Sequence, residues 1–346
     1  MAIHKVRFQP VDIEIEVSED ETVLNAAFRQ GVSLTHGCRE GQCGACKSFL
    51  LDGDLEMKKY STFALPDYES EEGYVLLCRS HVYSDAEVEL INYDEDILRL
   101  GIPIETFKMT IDAIEPLTHD IRRLVLKFSE EGKKMRFNAG QYASIRVPGS
   151  DEYRAYSMAN TPRTLGRLEF MIKMFPDGLF SGLLDNGFTV GQELEIKGPY
   201  GVFMLREKWD SDIVCIGGGS GMAPLWSLLN DMAERGIKRK ATYFYGARTR
   251  KDLFYLDHLH ELEEKLPGFR FIPALSMPTT EDEWDGETGL ITEVLDRHLE
   301  GDQSFTQAYL CGPPPMIDAA IPVLVSKGIS EDRIFYDKFT PTFQYP

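Results

Sequence analysis

Four cysteines carry the strongest chemical signal in the chain. Cys38, Cys43, Cys46 and Cys78 are spaced C-x4-C-x2-C, with 31 residues before the fourth. This is a spacing used by thiolates that hold a [2Fe–2S] cluster. Three thiolates that converge on so small a cluster need a tight loop between them. The run HGCREGQCGACKSFLLDG supplies Gly37, Gly41 and Gly44 for that purpose. Their uncovered N–H groups can also point at sulfur and stabilise an anionic cluster. Zinc sites commonly pair their ligands as two C-x2-C units, and this chain offers one. A disulfide framework is not on offer either, since only Cys215 and Cys311 remain outside the set. The cysteines predict an electron-carrying centre.

Four further runs could line sites for phosphate and an aromatic cofactor. Arg154, Tyr156 and Ser157 form R-x-Y-S at the end of a predicted strand, with Arg154 and Tyr156 on one face. An arginine there can bind a diphosphate bidentately while the aromatic ring lies on an isoalloxazine. Alone, the tetrad is weak; its weight comes from the runs downstream of it. In IKMFPDGLFSGLL, Gly178 and Ser181 stand at a predicted helix start, where free N–H groups favour phosphate. Gly217, Gly218, Gly219, Ser220 and Gly221 lie between an apolar strand and a helix, the context in which a glycine-rich loop admits a pyrophosphate. No Gly-Lys-Ser/Thr comes after it, so this is not a P-loop. In YLCGPPPM, Cys311 ends a predicted parallel strand, where ligands of open α/β sheets bind. Taken alone, Cys311 reads more simply as a buried structural cysteine.

The elements that must position these residues change character along 346 residues, a length that suggests two or three domains. Strands at 3–8 and 11–17, a helix at 22–30, the cysteine loop and strands at 74–77 and 87–91 make a small mixed domain over 1–98, which resembles the β-grasp fold of plant-type ferredoxins. The stretch DEDILRLGIPIE reads as a linker, assigned to 99–105. Short strands divided by Gly, Pro and Asn turns over 106–207 predict an antiparallel β-barrel, interrupted by a helix near 179–186. From 208 to 346, strands alternate with helices at 222–235, 252–265, 291–299 and 315–327, which predicts a doubly wound parallel sheet. The fold class is therefore multidomain, α+β followed by α/β.

Charge narrows the function. A net charge of −19 argues against nucleic acid as a partner. Residues 1–98 hold 20 Asp and Glu against 8 Lys and Arg, an acidic surface suited to steering a basic protein partner. No run approaches the ~18–20 apolar residues of a membrane span, and the start lacks a signal peptide's apolar core. The expectation is a cytoplasmic protein without a membrane partner, its thiols kept reduced for iron.

Taken in order, R-x-Y-S, G-G-G-x-G-x-A-P and C-G-P-P-x-M closely resemble the ferredoxin–NADP reductase superfamily. The first 95 or so residues resemble a plant-type ferredoxin. The whole chain looks most like the reductase components of bacterial soluble diiron monooxygenases acting on methane, propane, alkenes or phenols. The resemblance implies FAD, a [2Fe–2S] cluster and NADH, with an oxygenase hydroxylase as protein partner. It implies that Arg154 holds the FAD diphosphate, Tyr156 stacks on the flavin, and Ser157 lies near its reactive N5 edge. Lys173, Gly178 and Ser181 match the second flavin segment. Gly217 to Gly221 receive the dinucleotide, and Cys311 and Gly312 flank the nicotinamide. Tyr156, Ser157 and Cys311 are then the catalytic candidates. Phe339 matches the aromatic residue that covers the flavin in relatives, although Phe343 and Tyr345 come after it. Arg248 and Arg250 could bind a 2′-phosphate, yet the segment resembles NADH-dependent relatives, and NADH is preferred. His258 and His260, two apart on a predicted helix, read as surface residues. The same cofactors serve the reductase of a Rieske-type aromatic-ring dioxygenase; outside the enzymes, a redox-sensing subunit that does not turn over nucleotide is the alternative.

Overall fold

The computed structural model describes residues 2–176 and 178–340. It divides into two compact units, Met1–Thr106 with Met135–Phe137 and Lys197–Val202, and Phe107–Lys134 with Asn138–Ile196 and the chain from Phe203 onward. In the first unit, alternation places Val6, Phe8, Ile15 and Val17 inward from the hairpin Ile3–Gln9/Ile13–Ser18, all 0–2% exposed. The five-stranded sheet runs Ile13–Ser18, Ile3–Gln9, Ala86–Leu90, Lys47–Asp52, Tyr74–Leu76. The helix Val23–Arg29 starts where the Thr22 hydroxyl accepts from the Asn25 amide at 3.3 Å, and it buries Val23, Leu24, Ala26, Ala27 and Phe28. Two features differ from expectation. The strand Lys47–Asp52 comes directly after the third cysteine, so the cluster loop is anchored to an interior strand of the sheet. The stretch expected as linker begins with a helical turn, Glu95–Leu98, because Ile97 and Leu98 find burial, 2% and 1% exposed, and the Leu98 carbonyl accepts from Ser33.

The barrel forms as expected. Its strands are ordered Tyr153–Ser157, Tyr142–Arg146, Glu193–Tyr200, Glu105–Pro116, Ile121–Phe128, Arg167–Lys173. A bridge between Met158 and Phe170 joins the last strand back to the first. The helix Ser181–Asn186 interrupts it where the pattern placed one.

The six-stranded sheet of the last part of the chain is wholly parallel, in the order Glu287–Thr288, Phe269–Leu275, Ala241–Ala247, Ile213–Gly218, Gln307–Gly312, Ile334–Lys338. Ile213–Gly218 and Gln307–Gly312 are buried at every position, as strands covered on both faces must be. From Ile213–Gly218 the chain goes first to one neighbour and later returns to the other. That is a topological switch point, and it puts the glycine-rich loop and Cys311–Gly312 at the same crevice. The helices Met222–Arg235, Ile291–His298 and Pro314–Ser326 agree with the pattern to within a residue. The helix expected from 252 starts later, at Leu256. A capping box between Thr249 and Asp252 closes a separate 3-10 turn, and Tyr255 at φ 60° breaks the helical path.

Candidate redox site

The cysteine loop aims backbone donors at sulfur. The Cys38 Sγ accepts from the amides of Glu40 (3.4 Å) and Gln42 (3.2 Å), and the Cys43 Sγ from the amide of Cys38 (3.4 Å). The Gly41 and Ala45 amides serve Cys78 and Cys43. The thiols interact as pairs, Cys38 with Cys43 and Cys46 with Cys78. The Cys43 partner and the loop amides pull the Cys38 thiol down, and Cys78 pulls Cys46 down. The other member of each pair is pushed up. Oriented amides lower the cost of thiolate, which is what an iron ligand must be. A single tetrahedral zinc would hold its sulfurs ~3.8 Å apart. Among the described residues, only His119, Asp120 and Asp252 bring three potential ligand atoms within 4.8 Å of one another; the four thiols are spread more widely. The donor set fits a binuclear iron–sulfur cluster better than one zinc ion.

Glycine is required in this loop for space as well as conformation. Gly41 and Gly44 sit at φ 72° and 70°, and a Cβ on Gly41 would lie 2.8 Å from the Tyr60 Cβ. One on Gly37 would press on the Cys43 Sγ at 3.0 Å.

In the barrel, Arg154 and Tyr156 stand in register opposite Ile145 and Ala143. The Arg154 guanidinium donates to Glu152 Oε2 at 2.6 Å and to the Tyr153 carbonyl at 3.0 Å. The Tyr156 ring lies 5.2 Å from Phe180, tilted by 43°, and burial raises its phenol well above the ordinary value. Ser157 is 5% exposed. Gly178 approaches Ser181 so closely that a Cβ would meet its Oγ at 2.1 Å. The Ser181 hydroxyl is occupied locally, bonded to the Phe175 amide at 3.2 Å. Lys173 is ion-paired with Asp120, which it holds below the usual carboxylate range despite partial burial.

At the switch point, close backbone approach decides the geometry. A Cβ on Gly221 would lie 2.1 Å from the Cys311 carbonyl oxygen, and one on Gly312 2.9 Å from that of Gly218. Gly219, at φ 56°, has no atom within 4 Å of its Cβ position, the open approach a phosphate needs. Gly217 packs on the Tyr243 ring, Gly218 on Met316, and Ser220 is half-buried beside them in the chain. Cys311 is fully buried and its thiol is pushed far up by that burial, so it offers a neutral contact rather than a nucleophile. The Phe339 amide donates to the Gly312 carbonyl at 2.9 Å, which ties this aromatic residue to the C-G-P-P turn. Phe343 and Tyr345 lie outside the described residues.

Three matches to known families cover the chain in order. Residues 6–83 match the 2Fe-2S iron-sulfur cluster binding domain, 108–205 the oxidoreductase FAD-binding domain and 215–321 the oxidoreductase NAD-binding domain. The chain is 52% identical to the reductase component of propane 2-monooxygenase from Mycolicibacterium smegmatis, over 97% of each chain. It is 36% identical to the phenol 2-monooxygenase reductase component of a Pseudomonas species, covering 97% of this chain and 94% of that one. Among solved structures, a cytochrome P450 reductase of Amycolatopsis superposes with a TM-score of 0.87 at 30% identity, covering 98% and 99%. The chain belongs to the reductase components of multicomponent monooxygenases.

Such a reductase carries electrons from NADH through FAD and a [2Fe–2S] cluster to a hydroxylase, and the three domains occur here in that division of labour. Residues that support this work were missed in the sequence. The Tyr245 hydroxyl donates to the Gly219 carbonyl at 3.1 Å, and the Tyr243 hydroxyl reaches the Met222 sulfur at 3.4 Å, so two buried phenols fix the glycine loop from below. Their alternation in ATYFYGA was a signal, since a buried tyrosine needs a partner for its hydroxyl. Asp337, in register beside Cys311, was also missed; burial pushes its carboxyl up to about 6. Of the two arginines considered for a 2′-phosphate, Arg250 is engaged, donating to the Asp282 carbonyl at 2.9 Å. His260 pairs with Glu263 at an exposed position, and His258 stacks near Tyr255 at 4.8 Å, in keeping with surface roles.

Proposed function

We propose that this reductase serves the hydroxylase of a soluble, propane-oxidising diiron monooxygenase in the cytoplasm. The observation that carries this is 52% identity, over 97% of each chain, to a propane 2-monooxygenase reductase component. The domains run 1–98, 106–207 and 208–346, with 99–105 as linker. FAD, when bound, accepts a hydride from NADH and hands electrons on singly to the cluster, chemistry that the cofactors supply. The protein's part is to bind and orient. Arg154 exchanges Glu152 for the FAD diphosphate, Tyr156 presents its ring to the flavin, and Ser157 lies at the reactive edge. Gly178 keeps the turn open for phosphate, with Ser181 and Lys173 shaping that segment. Gly217–Gly221 takes the pyrophosphate of NADH, Cys311 and Gly312 bound the nicotinamide, and Phe339 shields the flavin. Cys38, Cys43, Cys46 and Cys78 ligate the cluster.

Electron exit is supported by the surface next to the cluster loop. Phe63 is 97% exposed, on a turn whose Ser61 amide donates to the Gly41 carbonyl at 3.0 Å. The next helix, Asp67–Glu72, has no basic residue and adds exposed Tyr68, 62% accessible. An exposed aromatic ring beside carboxylates suits a partner patch with an apolar centre and a basic rim. Purified protein is to be combined with diiron and Rieske hydroxylases in turnover assays at rising salt. Turnover with the alkane-oxidising diiron hydroxylase, weakened by salt and by Phe63→Ala, is expected; turnover only with a Rieske hydroxylase refutes the assignment.

A further inference from the structure

The strand Ala241–Ala247 comes after the glycine loop in the chain, and its carboxyl end is where a doubly wound fold reads the ribose 2′ position. Three cations stand there, Arg248, Arg250 and Lys251. By composition alone this is a site for a 2′-phosphate, hence for NADPH.

The neighbouring loop changes that balance. The segment after Phe269–Leu275 is zipped onto the basic loop by backbone bonds, Ser276 to the Ala247 carbonyl (2.9 Å) and Met277 to the Arg248 carbonyl (2.8 Å). It thereby delivers Asp282, 6% exposed, against Arg250. The Asp282 carboxylate accepts from the Arg250 amide at 3.2 Å, the Thr279 amide at 2.7 Å and the Thr279 hydroxyl at 3.0 Å. Its main-chain carbonyl takes the Arg250 guanidinium. Bonds from the Thr279 amide hold this carboxyl below its usual range, so it is charged at working pH. Glu281, Glu283 and Asp285 are exposed close by in the same segment of chain. One of the two guanidiniums is thus already engaged, and the Asp282 carboxylate lies against the amide of the same arginine.

We propose that the Asp282 carboxylate selects NADH over NADPH by setting fixed negative charge beside the loop that a 2′-phosphate must approach, where its main-chain carbonyl already occupies the Arg250 guanidinium. Discrimination is then built by repulsion of the wrong coenzyme rather than by an added contact to the right one. NADH has a neutral 2′-hydroxyl and is indifferent to the charge.

The test uses the full chain loaded with FAD and cluster. Asp282→Asn and Asp282→Ser keep an oxygen that can cap the Thr279 turn while removing the charge. The ratio of kcat/KM for NADPH to that for NADH, read by dye reduction, is expected to rise about tenfold, the scale of one charge at a solvent-accessible rim. Calorimetric binding of 2′,5′-ADP should tighten in step, while 5′-ADP, lacking the 2′ group, should not. Glu281→Gln/Glu283→Gln, on the same turn, should move the ratio in the same direction without touching the cap. A ratio within twofold of the parent in both Asp282 variants overturns the proposal, whatever the glutamate variant does. So does a gain shared equally by NADH and NADPH, or by 5′-ADP and 2′,5′-ADP.

Discussion

Alanine at position 221 isolates the close approach between the glycine loop and the C-G-P-P turn. Gly221 has φ −60°, so its backbone is open to any residue and the effect is steric alone. The new Cβ would stand 2.1 Å from the Cys311 carbonyl oxygen, 2.6 Å from its carbon and 2.9 Å from the Gly312 Cα. These are main-chain atoms of a fully buried strand, which cannot rotate away as a flexible side chain could. Loop and strand must separate by about 1 Å to restore ordinary contact. Overpacking of this kind costs about 1–3 kcal/mol, and a ~1 Å misplacement of reacting groups can cost about 10²-fold in rate. Stopped-flow bleaching of the flavin by NADH should therefore slow by roughly that factor, with the melting temperature lowered and cluster absorbance retained. Gly219→Ala is the contrast. It meets no atom within 4 Å but forces alanine to φ 56°, costing ~1 kcal/mol of backbone strain. Its Cβ stands in the space left open for phosphate, so it should raise KM for NADH more than it lowers the rate at saturation. Parental bleaching rates in Gly221→Ala would refute the reasoning.

Cys43→Ser should abolish electron delivery to the hydroxylase while leaving bleaching of the flavin by NADH intact, since the cysteine belongs to a different compact unit from the coenzyme loop. Loss of NADH–dye activity in a folded variant would contradict that separation. Asp337 predicts a pH dependence of stability. Its folded value of about 6 lies above the unfolded value, ~3.9. The native state then binds more protons than the unfolded one between these values, and stability falls as pH rises from about 4 to about 6. Asp337→Asn should gain melting temperature relative to the parent across that window and keep the gain above it. An offset that is the same at pH ~4 and pH ~8 would count against the shift.

Much of this protein was legible as sequence because its chemistry is carried by short, local patterns. The spacing of Cys38, Cys43 and Cys46 is fixed by the size of the object they must surround. A glycine run between an apolar strand and a helix has few uses, and three such patterns in order identified domains, cofactors and family. Tertiary structure decided what depends on distant segments meeting. Ile97 and Leu98, at the start of a stretch that reads as polar and linker-like, are buried, and the Leu98 carbonyl accepts from the Ser33 amide far back in the chain. Tyr245 found its partner in Gly219, 26 residues away, and Arg250 found Asp282, 32 residues away. A motif records what each segment can do alone. Which charges are left free once the segments pack is a property of the whole fold, because electrostatic pairing acts through space and not along the chain.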